Sequence, residues 1–116
     1  MYSIYIYNLI MEKQYLTIFG KKMAYYDEGD GETMIFIHGN PSSSYLWRNI
    51  SPDFINTHRV IVPDLIGMGD SDKLDGIDNP DYNFHGQYKY LSTLLSELNI
   101  LTPIHLIIHD WGCGLG

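Results

Sequence analysis

At 116 residues the chain suits one modest core and at most one small domain, since domains commonly run to about 100–150 residues. Seven basic residues against fourteen acidic ones give a net charge of −7. That balance argues against nucleic acid and anionic membrane surfaces as partners, because both are held by clustered Lys and Arg. The single cysteine, Cys113, rules out an intrachain disulfide, and no Cys/His spacing of the metal-binding kind appears. Cys113 is expected to be a small buried residue near a tight turn.

The segment from Met1 to Ile10 is apolar but shorter than the roughly 20 residues a bilayer span needs. It lacks the basic start and small-residue cleavage site of a signal peptide, so a cytoplasmic location is expected. Tyr and Ile fill both of its faces, which suits a strand poorly. Residues 1–12 are therefore read as an N-terminal extension with the biological start at Met11; the rival reading is an extra edge strand. Residues 13–116 form the core.

Gln14–Phe19 and Lys22–Tyr26 read as two strands around a turn at Gly20, too short for anything but an antiparallel pair. Thr33–Ile37 is a continuous apolar run, as expected of a strand covered on both faces. It ends in His38-Gly-Asn-Pro-Ser-Ser-Ser44, a loop feeding a short helix around Tyr45 to Ile50. Arg59–Val62 is another buried strand, stopped by Pro63 and followed by a glycine-rich loop to Asp72. A helix is predicted from about Phe84 to Leu98, with Tyr88, Leu91, Leu94, Leu95 and Leu98 as its buried stripe. Asn99 helps to end it, and Ile104–Ile108 is the last strand. This order predicts an α/β fold: a mostly parallel sheet with helices on both faces.

The final strand runs directly into His109-Asp110-Trp111-Gly112-Cys113-Gly114. Small residues two and four after Asp110 are what a sharp strand-to-helix turn requires, because side chains there would clash with the neighbouring strand. The helix after such a turn should exceed ten residues, and the chain ends at Gly116. Residues 13–116 are accordingly expected to be a truncated core that stops at the turn.

Four segments then fall in order: His38-Gly39-Asn40-Pro41, Trp47-Arg48, the run Pro63 to Asp72, and His109-Asp110-Trp111-Gly112. Together they resemble the N-terminal half of the α/β-hydrolase core of haloalkane dehalogenases, over roughly Gln14 to Gly116. Asp110 stands where such a turn lifts the nucleophile clear of the sheet. A carboxylate there suits displacement of halide from an sp³ carbon, with the resulting alkyl ester cleaved by water. The blander reading of Asp110 is a helix cap.

The resemblance implies that Asn40 and Trp111 stabilise the leaving halide through their side-chain N–H groups, and that their backbone N–H groups form the oxyanion hole. Their plain alternatives are an Asx-turn for Asn40 and a core aromatic for Trp111. It further implies a small halogenated hydrocarbon and water as reactants, no metal or organic cofactor, and a monomer at full length. The family's catalytic histidine and its acidic partner lie far downstream, outside the chain. An epoxide hydrolase or a coelenterazine luciferase of the same superfamily is the alternative activity, and a non-catalytic truncated product the alternative class. Asn40 separates the first of these, since related epoxide hydrolases usually carry an aromatic residue at that position.

The remaining polar residues have ordinary readings. Gly67 and Gly69 belong to a loop at the rim of the site, not to a nucleotide cradle. Asp64 is expected to bond backbone amides of that loop. His38 and His109 are expected to be packed, hydrogen-bonded residues, and His58, His85 and His105 surface or half-buried ones.

Overall fold

A computed structural model describes residues 12–76 and 78–116, the side chain of Trp111 excepted. The proposed extension and its rival strand lie outside the described residues, apart from Glu12. The described strands are β1 (Lys13–Ile18), β2 (Lys21–Glu28), β3 (Thr33–Ile37), β4 (Arg59–Pro63) and β5 (Ile104–Ile108). They form one sheet in the order β1-β2-β4-β3-β5. β1 and β2 pair antiparallel, with Ile18 opposite Lys21 across a two-residue turn. Phe19 and Gly20 both take positive φ, 50° and 79°, which matches the turn's twist to that of the strands.

β2 also runs antiparallel to β4, so parallel pairing is confined to β4-β3-β5. The sheet is thus mixed, and strand length alone could not reveal which neighbour β2 would choose. Its junction is fastened by Arg59, whose guanidinium donates to both carboxylate oxygens of Asp27 at 2.9 and 2.7 Å. The same group donates to the carbonyl of Leu98 at 2.7 Å, tying the sheet to the end of the long helix.

Two layers cover the sheet because successive side chains of a strand point to opposite faces. Ile35, Ile37 and Ile61 pack with Leu91 and Leu94 of α1 (Phe84–Glu97) and with Leu98, which caps its end. Met34, Phe36, Val60 and Val62 pack with Trp47 on the other face, with Phe54 against them. Every residue of β3 is buried, which explains its unbroken apolar run. Trp47 and Phe54 come from two 3-10 turns, Ser44–Trp47, where the short helix around Tyr45 to Ile50 is predicted, and Ser51–Phe54 just after it. Pro52 lies inside the second turn and would interrupt a continuous helix, having no N–H to give.

α1 starts at an Asn83 cap whose side chain accepts from the N–H of Gly86, and it is followed by Asn99 at φ 54°. Its buried stripe differs from the prediction at two positions: Tyr90 is buried where Tyr88 is half exposed, and Leu95 is only partly buried. Tyr88 and Leu95 flank an open apolar groove over Ile35 and Ile37 of β3 and Ile104 and Leu106 of β5. β5 pairs only with β3 among the described residues, so Ile104, Leu106 and Ile108 remain exposed at the sheet edge. No helix among the described residues is long and apolar enough to cross a membrane.

Candidate active site

Parallel register brings the ends of β3 and β5 level, with Ile37 opposite Ile108. The N–H of His109 donates to the carbonyl of Ile37 at 3.2 Å, so the loops after the two strands leave side by side. β4 lies on the other flank of β3, and its loop begins at Asp64. Three strand ends thus converge, the region of an open α/β sheet where ligands bind.

Asp110 sits at the apex of the turn between β5 and α2 (Trp111–Leu115), with φ 56° and ψ −120°. This conformation is costly for a residue with a side chain, and it aims Asp110 away from the sheet. The turn closes tightly, as the N–H groups of Gly112 and Cys113 bond to the carbonyls of His109 and Asp110 at 2.9 Å each. A Cβ on Gly112 would collide with the carbonyl oxygen of Ile37 in β3, as the sequence predicts. Gly114 meets the ring of Phe84 on α1 instead of a strand.

Gly39 permits a second close approach at the site. A Cβ there would lie 2.5 Å from Cβ of Asp110 and 2.8 Å from its Oδ2. With no side chain at Gly39, the backbone N–H of Asn40 reaches Oδ2 of Asp110 at 3.3 Å. Gly39, Asn40, Pro41, Ser42, His109 and Asp110 together line an open pocket of about 240 Å³. Asp110 and Asn40 are therefore brought together, through a backbone donor and a carboxylate acceptor. The role expected of the Trp111 indole lies outside the described residues.

The histidines divide. His38 is fully buried and hydrogen-bonded at both ring nitrogens: Nδ1 lies 2.7 Å from the carbonyl of Gly39, and Nε2 lies 3.0 Å from the N–H of Leu65. A carbonyl can only accept and an amide N–H can only donate, so the ring is neutral with its proton on Nδ1. His109 differs from expectation, being exposed on the pocket wall. It follows a strand that lies at the sheet edge among the described residues. Cys113 is also exposed; among the described side chains of α2, Gly112 and Leu115 are the buried positions. His105 pairs at the surface with Glu32 at 2.9 Å. Among the described residues no group of three or more His, Cys, Asp or Glu is placed to hold a metal ion.

Asp64 is fully buried and bonds an amide of its own loop, but also a lysine and an amide beyond that loop. Its Oδ1 accepts from the N–H of Ser44 at 2.7 Å; its Oδ2 accepts from the N–H of Asp70 at 3.1 Å and from Lys13 Nζ at 2.8 Å. Lys13, 51 residues away, also bonds Asp70 at 2.8 Å. No local pattern in the sequence marks Lys13 or Ser44, since each is paired only by the fold.

Burial alone would raise the Asp64 carboxyl, but Lys13 and the amides of Ser44 and Asp70 outweigh it and hold the group below the usual carboxylate value. Burial lowers His38 from its ordinary value near 6.5, against opposing pulls from the Gly39 carbonyl and Asp64. Both groups therefore bind protons less readily folded than unfolded, and each loses its contribution as pH falls. Stability is expected to decline in two stages, below about pH 6.5 from His38 and below about pH 4 from Asp64. Urea midpoints measured from pH 7 to pH 3 check this, and His38→Gln should flatten the upper stage. A midpoint unchanged between pH 6.5 and 5 would show that His38 does not resist protonation.

Residues 32–116 match the family model of the alpha/beta hydrolase fold. A haloalkane dehalogenase of Mycolicibacterium smegmatis is 50% identical over 103 residues, covering 89% of this chain and 33% of that protein. The crystal structure of haloalkane dehalogenase DbeA from Bradyrhizobium elkani superposes with a TM-score of 0.81 at 40% identity, covering 90% of this chain and 35% of the other. An epoxide hydrolase, CorEH, matches with a TM-score of 0.78 at 31% identity over 90% of this chain and 35% of its own. The chain spans about a third of the length of the curated relatives it matches.

Proposed function

Because the chain belongs to the α/β-hydrolase fold family, we propose that it carries the nucleophile and oxyanion portion of a haloalkane dehalogenase site. At full length the reaction is hydrolytic cleavage of a carbon–halogen bond, giving an alcohol, a halide ion and a proton. Asp110 attacks the halogen-bearing carbon through a carboxylate oxygen; the carbon–halogen bond breaks and the halide leaves with its electron pair. Asn40 and Trp111 donate N–H groups to the departing halide. Water then adds to the carbonyl carbon of the aspartyl ester, the negative oxygen held by the backbone N–H groups of the same two positions. The intermediate collapses, the bond from that carbon to the alkyl oxygen breaks, and the alcohol leaves with a proton as the Asp110 carboxylate is restored. A histidine and an acid from a downstream part of the protein activate that water. Residues 13–116 supply the core, and the segment by itself holds no complete turnover machinery.

The observation that carries this reading is the 3.3 Å contact between the Asn40 N–H and Oδ2 of Asp110 at the apex of a tight strand-to-helix turn. A donor already aimed at Oδ2 is placed to hold the negative charge that develops on that oxygen when water adds to the ester. An epoxide hydrolase is the second reading, favoured by the likeness to CorEH. The amide at position 40 speaks against it, since a halide needs a donor there. Rapid acid quench of a full-length protein carrying this segment with a 1-bromoalkane, followed by peptide mass spectrometry, tests the proposal. An alkyl increment on the peptide holding Asp110 is expected. A folded protein with no increment from bromoalkanes and one from epoxides would transfer the assignment to the second reading.

A further inference from the structure

The loop Gly39–Ser43, which bears Asn40, is fastened at both ends to two consecutive residues. At its start, Nε2 of the buried His38 accepts from the N–H of Leu65 at 3.0 Å. At its finish, the N–H of Ser44 donates to Oδ1 of the buried Asp64 at 2.7 Å. Asp64 and Leu65 directly follow β4, and both are fully buried. A loop this short pinned at both ends to one rigid pair has little freedom to slide. Its middle is where the Asn40 N–H meets Asp110.

We propose that His38 and Asp64 are positioning residues that hold the Asn40 donor in line with the Asp110 carboxylate by clamping both ends of its loop to the end of β4. The inference rests on the proposed roles of Asp110 and Asn40. Neither clamp residue touches the pocket, so each acts through the backbone of the loop.

The two clamps have separate supports. His38 is held by the 2.7 Å contact of Nδ1 with the Gly39 carbonyl, which fixes the ring and leaves Nε2 bare to accept. Asp64 is held on its other oxygen by Lys13 and by the Asp70 N–H, at 2.8 and 3.1 Å. The Ser71 hydroxyl also donates to the Asp64 carbonyl at 2.7 Å, and the side chain of Gln87 on α1 donates to the Ile66 carbonyl at 2.9 Å. The receiving end of the clamp is thus immobilised from β1, from its own loop and from α1. Such bracing would be unneeded if residues 39–43 merely linked two elements.

Three substitutions in a full-length protein carrying this segment separate the positioning role from a structural one. His38→Leu removes the acceptor for Leu65, whereas His38→Gln can place a carbonyl oxygen near the same point. Ser44→Pro deletes the N–H given to Asp64, together with the hydroxyl of a buried side chain. Proline fits there because Ser44 opens a 3-10 turn and Ser43 is already extended at φ −162° and ψ 177°. The measurements are the single-turnover rate of ester formation from a 1-bromoalkane and the response of the Asn40 amide resonance to Asp110→Asn.

His38→Leu and Ser44→Pro are each expected to slow ester formation about 100-fold with KM moved less than about 3-fold, the effect of misplacing a group by about an ångström. In both, the Asn40 amide should lose its response to Asp110→Asn, and His38→Gln should restore rate and response together. A folded His38→Leu or Ser44→Pro that forms ester at the unsubstituted rate, or keeps the amide response, overturns the proposal. Should His38→Leu not fold, Ser44→Pro decides alone. Should the unsubstituted protein form no ester, the catalytic assignment of Asp110 fails, and the amide response still decides the positioning.

Discussion

Asp110→Ala and Asp110→Gly are both expected to abolish dehalogenation in a full-length protein, by about 10⁴-fold or more, while differing in the sign of their effect on stability. The loss of activity follows from chemistry, because among the described residues Asp110 is the one carboxylate lining the pocket with Gly39, Asn40, Pro41, Ser42 and His109. The stability contrast follows from the backbone. At φ 56° and ψ −120°, Asp110 occupies a region that glycine enters freely and side-chain-bearing residues enter at about 1–3 kcal/mol. Alanine inherits that strain and loses the contact with the Asn40 N–H, so Asp110→Ala should be slightly less stable than the unsubstituted protein. Glycine relieves the strain, against a backbone-entropy penalty of about 0.5–1 kcal/mol and the same lost contact. Asp110→Gly should therefore unfold in urea at or above the unsubstituted midpoint. If it unfolds below Asp110→Ala, the conformation at the turn is not strained, and the inference from dihedral angle to function is wrong. An inactive protein that is as stable as the active one would show that the nucleophile is kept at a cost to the fold.

The same turn shows how much of the site can be read from residues alone. Gly112 beside Asp110, after an apolar strand, announces a close approach, and the structure places that glycine against the carbonyl of Ile37. β3 and β4 are equally legible, since burial on both faces leaves no polar alternation. The misreadings come from tertiary context. Tyr88 and Tyr90 both fit a helical stripe, and only the position of β5 decides which one meets the sheet. The exposure of His109 and Cys113 depends on what packs beside β5 and α2, which periodicity does not carry. Asp64 appears in the sequence as one polar residue in a glycine-rich loop. Its partners Lys13 and Ser44 stand 51 and 20 positions away, and only folding brings them together.

Asp64 is for that reason the position where a stability measurement says most about the architecture. Asp64→Ala is expected to cost about 3–5 kcal/mol, the usual penalty for removing one partner of a buried ion pair. Three donors lose their acceptor at once: Lys13 Nζ, the N–H of Ser44 and the N–H of Asp70. Lys13 keeps the Asp70 carboxylate at 2.8 Å, which moves the expectation towards the lower end of that range. Asp64→Asn should recover little, because its amide can offer oxygen to Ser44 only by turning N–H groups towards Lys13 and Asp70. Salt distinguishes the two halves of the cluster. Asp70 is largely exposed, so its pairing with Lys13 should fade at 1 M salt, where screening acts within about 3 Å. The buried Asp64 bonds should persist, leaving most of the difference between Asp64→Ala and the unsubstituted protein intact at high salt. Urea unfolding of both proteins at low and high salt measures this directly. A difference below about 1 kcal/mol at either salt would mean that the carboxylate is replaceable by water. The loops at the ends of β3 and β4 would then have to be joined by packing alone.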